Sequence, residues 1–100
     1  MTTTDKKSPD QHAAALVGAT FRVTEGCRSL YIAKRNTGVV EAAVWDKEAG
    51  CFRVTLNVAG MIRVLYAANS ARISGLRVTL NNGNPQRRVA LSITRRVVAS

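Results

Sequence analysis

The sequence predicts an all-β protein, a small antiparallel barrel or sandwich of six or seven short strands behind a disordered N-terminal tail. Two observations carry this. From Gly18 almost to the C-terminus, apolar residues recur at every second position, the period of a strand with one buried face. The apolar runs are short, and turn-forming breaks separate them at intervals of about 8–12 residues, as in small sandwiches and barrels. At 100 residues the chain has room for one domain and one modest core.

Residues 1–11 are mostly threonine, lysine, aspartate, serine and proline and offer nothing to bury, so they read as the tail, with the domain spanning 12–100. Gln11 to Val17 predicts one short helical turn, stopped by Gly18. Thr20 to Glu25 sets Phe21 and Val23 against Arg22 and Thr24. Ser29 to Lys34 places Leu30 and Ile32 together. Gly38 to Trp45 is apolar on both faces and predicts a central or covered strand. Cys51 to Val58 alternates most clearly, with Phe52, Val54, Leu56 and Val58 inward and Arg53, Thr55 and Asn57 outward. Met61 to Ala68 sets Ile62, Val64 and Tyr66 inward against Met61, Arg63 and Leu65 outward. Leu76 to Leu80 has Leu76, Val78 and Leu80 inward and Arg77 outward. Arg88 to Val98 begins with Val89, Leu91 and Ile93 inward, and its pattern breaks at Arg95–Arg96, as at a bulge or strand end. Asp46–Gly50 and Val58–Gly60 are short enough for hairpins, each ending in a glycine that accepts positive φ, and Asn81–Pro85 is the strongest turn.

Charge separates the two halves of the chain. The formal net charge is +9; residues 1–48 hold seven basic and six acidic residues, whereas residues 49–100 hold eight arginines, no lysine and no acid. A soluble surface ordinarily intersperses both signs, so an acid-free half points to a polyanionic partner. Arg53, Arg63, Arg77 and Arg88 each take an outward position on a different expected strand and would form a band across one surface, with Arg87 adding charge. The guanidinium is a planar fork that bonds phosphate through two donors and stacks on bases. Lys34 and Arg35 make a basic loop tip. Tyr31, out of phase with Leu30 and Ile32, is either a stacking platform for a base or a rim tyrosine with its hydroxyl in water. Trp45, beside the acidic hairpin, reads as packing or partner contact.

Catalytic constellations are missing from this pattern. The single histidine, His12, lies at the edge of the tail, and four of the six carboxylates fall in the tail or the Asp46–Glu48 turn. Cys27 and Cys51 are too few for a zinc cage and read as two reduced thiols. No apolar run exceeds five residues, far short of a membrane span, and the N-terminus has no secretory signal. The expectation is a soluble cytoplasmic protein that is not an enzyme and uses no cofactor or metal.

Gly18, Val23 and Gly26, then Gly38, Val40 and Val44, then Val54, resemble the KOW-type SH3-like barrel of ribosomal proteins and transcription elongation factors. The likeness covers about residues 18–56; the segment between Gly26 and Gly38 is longer than in that family, and the family's lysine-glycine step is absent. The resemblance implies an SH3-like barrel, here of five to seven strands, and nucleic-acid contact through the loop residues Arg28, Lys34 and Arg35. The first reading is therefore a nucleic-acid-binding module, for DNA or RNA, with low sequence specificity because it holds phosphates. The second is a structural or assembly subunit, such as a phage or virion component or an oligomer-forming β protein, supported by the two-sided strand Val39–Trp45 and by Met61 and Leu65 in the outward phase. A third is an adaptor or inhibitor docking on an acidic protein surface.

Overall fold

A computed structural model describes residues 9–69, 72–73, 75–83 and 87–96. A helix, α1 (Pro9–Leu16), leads into six strands: β1 (Thr20–Glu25), β2 (Thr37–Asp46), β3 (Cys51–Val58), β4 (Met61–Ala67), β5 (Arg77–Asn81) and β6 (Arg88–Arg95). Each strand pairs antiparallel with the next, and β6 returns to β1, so the sheet closes into a barrel. Closure removes the unpaired edges that an open six-stranded sheet would present. The expected small antiparallel barrel is the fold observed.

Alternation fills the interior. Phe52, Val54, Leu56 and Val58 of β3 are buried together with Phe21 and Val23 of β1, Val78 and Leu80 of β5, and Val89, Leu91 and Ile93 of β6. Trp45 packs edge-on against Phe52, with ring centroids 4.7 Å apart. No polar side chain is buried among the described residues. The two-sided apolar character of β2 has a local cause. A bulge between Val40 and Ala42 turns Glu41 and Ala42 outward in succession and returns Ala43 and Trp45 to the interior phase. α1 packs against β2, and its Ala13 and Leu16 are buried in the same core.

Residues 1–8 of the expected tail lie outside the described residues, and its last three, Pro9–Gln11, form the first turn of α1. Proline suits that position because its missing N–H has no intrahelical partner there. The helix ends before Gly18 (φ 84), whose N–H donates to the Val40 carbonyl at 2.8 Å. Arg96 ties the same region down, donating to the carbonyls of Ala15, Ile73 and Gly75. No helix among the described residues is long and apolar enough to cross a membrane.

Three expectations about strand phase are corrected. In β4 the interior residues are Leu65 and Ala67, while Ile62 and Val64 are exposed. The turn at Ala59–Gly60 sets this parity: it pairs Val58 with Met61, and directly opposed residues share a face. With Val58 inward, Met61, Arg63, Leu65 and Ala67 follow it, so Arg63 is not an outward residue and Leu65 is not exposed. Ser29 to Lys34 forms no strand. The chain reverses there through a 3-10 turn, Arg28–Leu30, closed by an isolated bridge between Cys27 and Ile32. Gly26 permits this return, because a Cβ there would collide with the Ile32 carbonyl oxygen. Leu76 precedes β5 and is 72% exposed, although Val78 and Leu80 are inward as expected.

Candidate functional site

The outward positions of β1, β6 and β5 form one face of the barrel. Register places Arg22 beside Ser92, and Ser92 beside Arg77. With neighbouring strands about 4.8 Å apart, the two arginines stand roughly 10 Å from each other with only a serine between them. The positions around them are small and hydroxylated: Thr20 and Thr94 bond through their hydroxyls at 2.9 Å, and the Thr24 hydroxyl donates to the Ala90 carbonyl at 3.1 Å. Thr37 of β2 continues the row beside Arg22, and Arg88 lies further along β6, opposite Asn81. Short side chains leave the guanidinium groups standing above the surface. Arg22 and Arg77 are exposed, and neither guanidinium has an ion pair or hydrogen bond among the described residues. Glu25, at the end of β1, is the one carboxylate on these three strands.

Beyond Glu25, the loop of residues 26–36 crosses the barrel end and gathers a second basic cluster. Arg28, Arg87 and Arg88 line an open cleft of about 290 Å³ together with Glu25, Cys27 and Ser29. The Ser29 hydroxyl, 3.2 Å from Cys27 Sγ, holds that thiol below its usual range against the opposing effect of burial. The backbone N–H groups of Ser29 and Leu30 and the charge of Arg87 act in the same downward direction. Tyr31, in the left-handed region at φ 58, is 75% exposed at this end. Lys34 and Arg35 form the following turn, in which Arg35 N–H donates to the Val23 carbonyl at 2.8 Å and extends the edge of β1.

Two of the expected phosphate-binding arginines stand apart from these clusters. Arg63 lies under the loop, its Nε donating to the Leu30 carbonyl at 2.8 Å and its Nη1 to the Ile62 carbonyl at 2.8 Å. It fastens the loop to the barrel. Arg53 lies on the β2–β3–β4 side, between Val44 and Tyr66, and its Nη2 sits 2.6 Å from Asp46 Oδ2. The Asp46 carboxyl is held below its usual range chiefly by the Ala49 backbone N–H, with the Arg53 guanidinium next. The band expected from Arg53 through Arg88 therefore does not form on one surface. Arg77 and Arg88 remain on the free face, and Arg28, Arg35 and Arg87 join it at the barrel end.

Arg22 is the site residue that sequence reasoning passed over. Its phase opposite Phe21 and Val23 already placed it outward, but the expected band of strand arginines was drawn from the acid-free half alone, and only loop residues, Arg28, Lys34 and Arg35, were added from the first half. Comparison of the chain with family models, with curated proteins and with solved structures finds no match in any of the three.

Proposed function

We propose that this protein is a binding module for nucleic acid, DNA or RNA, which grips backbone phosphates with the outer face of β1, β6 and β5 and with the adjoining barrel end. The observation that carries the reading is the lateral row Arg22, Ser92, Arg77: two guanidinium groups with no carboxylate partner among the described residues, on the two strands that flank β6 on one face. Uncompensated arginines attract a polyanion, and on a flat hydroxylated surface they can approach phosphate oxygens through paired N–H donors while serine and threonine hydroxyls bond the same groups. Such contacts position a strand and carry little sequence information, so specificity is low. The role is binding rather than catalysis, in the cytoplasm. In kind, the module is an SH3-like barrel, in keeping with the KOW-like pattern of Gly18, Gly26 and Gly38.

The test is binding of a mixed-sequence oligonucleotide across a salt series. The logarithm of affinity falls linearly with the logarithm of salt, by about 0.7–0.9 for each phosphate engaged. Arg22→Gln with Arg77→Gln keeps hydrogen-bonding capacity and removes two charges, so the slope shrinks by about two contacts and every sequence weakens alike. Arg53→Gln, on the other side of the barrel, is the control and leaves the slope unchanged. Equal losses from the control and the double variant overturn the assignment of the face.

A second reading rests on a different observation. Val44, Ile62 and Val64 are 50%, 53% and 43% exposed on the outside of the β2–β3–β4 meander, which suits a subunit covered by a partner in an assembly. A single oligomer insensitive to nuclease and salt favours it.

A further inference from the structure

β1 and β2 pair at only three positions, Thr20 with Val39, Phe21 with Gly38 and Arg22 with Thr37, against eight between β2 and β3. Over this seam, which backbone bonds from Val40 to Ala19 and from Arg35 to Val23 continue at its two ends, the surface is concave. An open groove of about 770 Å³ runs along it, lined by Arg22 and Arg35 toward the barrel-end loop, by Thr37 and Val39 along the bottom, and by Asn57 and Gly60 toward the β3–β4 turn. The volume falls within the range of small-ligand sites, about 300–1,000 Å³.

Backbone strain collects at this groove. Three non-glycine residues of the described chain have positive φ, and two of them, Arg35 (φ 79) and Ala59 (φ 51), line it. Such conformations cost free energy and persist where the surrounding structure fixes them, often at ligand sites. At Arg35 the fixing contacts are its N–H to the Val23 carbonyl and the Val23 N–H to the Asn36 carbonyl, at 2.8 and 2.7 Å. They hold an arginine at a position that a glycine would occupy without strain.

The groove is apolar along its middle and polar toward its two ends. One end carries two guanidinium groups. At the other, Asn57 donates its amide to Glu41 Oε2 at 3.3 Å, just outside the groove lining, and keeps its own carboxamide oxygen as an acceptor. A phosphate fits the first end and is repelled from the second. A nucleobase, which offers amino and imino donors and a flat apolar face, fits the second.

We propose that this groove seats one nucleotide of an unpaired nucleic-acid strand, its phosphate between Arg22 and Arg35 and its base over Val39 and Gly38 toward Asn57. The inference rests on the nucleic-acid reading above and adds to it a preference for single strands. A duplex can lay phosphates against Arg22 and Arg77, but its bases are stacked inside and cannot enter the groove. An unstacked base can fill it, and single-strand sites gain affinity per base in this way.

The decisive variant is Arg35→Gly, because it removes the guanidinium while relieving the left-handed backbone. A merely structural arginine would lose stability on this change; a ligand-binding one loses affinity at an unchanged or higher melting temperature. Wild type and variant are titrated at fixed salt with a single-stranded oligothymidine and with a duplex of equal length. The expected result is tighter binding of the single strand by wild type, a loss of about tenfold for it in Arg35→Gly, and a much smaller loss for the duplex. Equal wild-type affinity for both forms, or equal losses in the variant, overturns the groove assignment while leaving the phosphate-binding face standing. Absence of binding to either form at low salt overturns both.

Discussion

Across the outside of the barrel, the row Val44, Arg53, Tyr66 on β2, β3 and β4 corresponds to the row Arg22, Ser92, Arg77 on β1, β6 and β5. Both rest on the same interior, and both carry arginine. On the first, the arginine is paired with Asp46 and flanked by apolar neighbours, and Ile62 and Val64 extend the apolar character along β4. On the second, two arginines stand among small hydroxylated side chains with no acidic partner among the described residues. The difference shows that a charge count over a stretch of sequence does not locate a charged surface. Of the arginines after residue 48, Arg53, Arg63 and Arg96 are occupied by a carboxylate or by backbone carbonyls, whereas Arg22, from the mixed-charge half, belongs to the free face.

The largest effect removes the floor beneath both faces. Phe52 is 1% exposed, lies between the outward rows and packs against Trp45. Phe52→Ala costs about 3–5 kcal/mol in urea unfolding, a large share of the stability of a domain this small. Unchanged stability would mean that β3 does not bury that side chain and that neither face is built as described.

The next contrast separates a structural arginine from a surface one. Arg63→Ala leaves the Leu30 carbonyl without its donor and releases the loop of residues 26–36, for a loss of about 1.5–3 kcal/mol. Arg77→Ala changes stability by no more than about 0.5 kcal/mol, because its side chain stands in solvent. Equal effects would erase the distinction between occupied and free arginines on which the comparison depends.

Much of the barrel was legible because period-two alternation is a local signal. Phe52, Val54, Leu56 and Val58 can face only one way, and glycine marks the ends of the turns that follow β2 and β3. The phase of β4 was not legible from alternation alone: Met-Ile-Arg-Val-Leu-Tyr-Ala is apolar in both phases except at Arg63. The information lay one step away, in the two-residue turn that couples Met61 to an inward Val58. The barrel-end cluster was legible only residue by residue. Arg28 and Arg87 lie in one cleft because a loop folds back across the barrel and β6 starts beside β1, and both are long-range facts with no local signature. The groove was hidden for the same reason, since Arg22, Arg35 and Asn57 come to line it only through the pairing of β1, β2 and β3.

The thiols offer a chemical test of the barrel-end cluster. Cys27 and Cys51 are both free and half-buried, and the Cys27 thiol is held below its usual range, first by Ser29. The alkylation rate of Cys27 therefore levels off at lower pH than that of an ordinary thiol. Ser29→Ala moves the titration upward and slows the reaction. An unchanged Cys27 rate in Ser29→Ala, resolved by peptide mapping, would remove the hydroxyl from any influence on this cleft.

The smallest effect on the fold is the sharpest test of the two faces. Asp46 has two roles: its Oδ1 accepts the N–H groups of Glu48 and Ala49 at 3.1 Å, and its Oδ2 neutralises Arg53. Asp46→Asn keeps an oxygen acceptor for the turn and removes the charge, so the melting temperature barely moves at neutral pH. Because the folded carboxyl titrates below its ordinary value, its small stabilisation is fully present above that value and is lost as pH falls through the folded one. The variant lacks that acid-dependent loss. At neutral pH it also releases Arg53, giving the β2–β3–β4 side an unpaired guanidinium and raising the net charge by one. If net charge alone governs attraction to a polyanion, affinity and salt slope rise with it. If the Arg22, Ser92, Arg77 row is the binding surface, the slope stays at its wild-type value, because the freed arginine lies between Val44 and Tyr66 on the other side of the barrel.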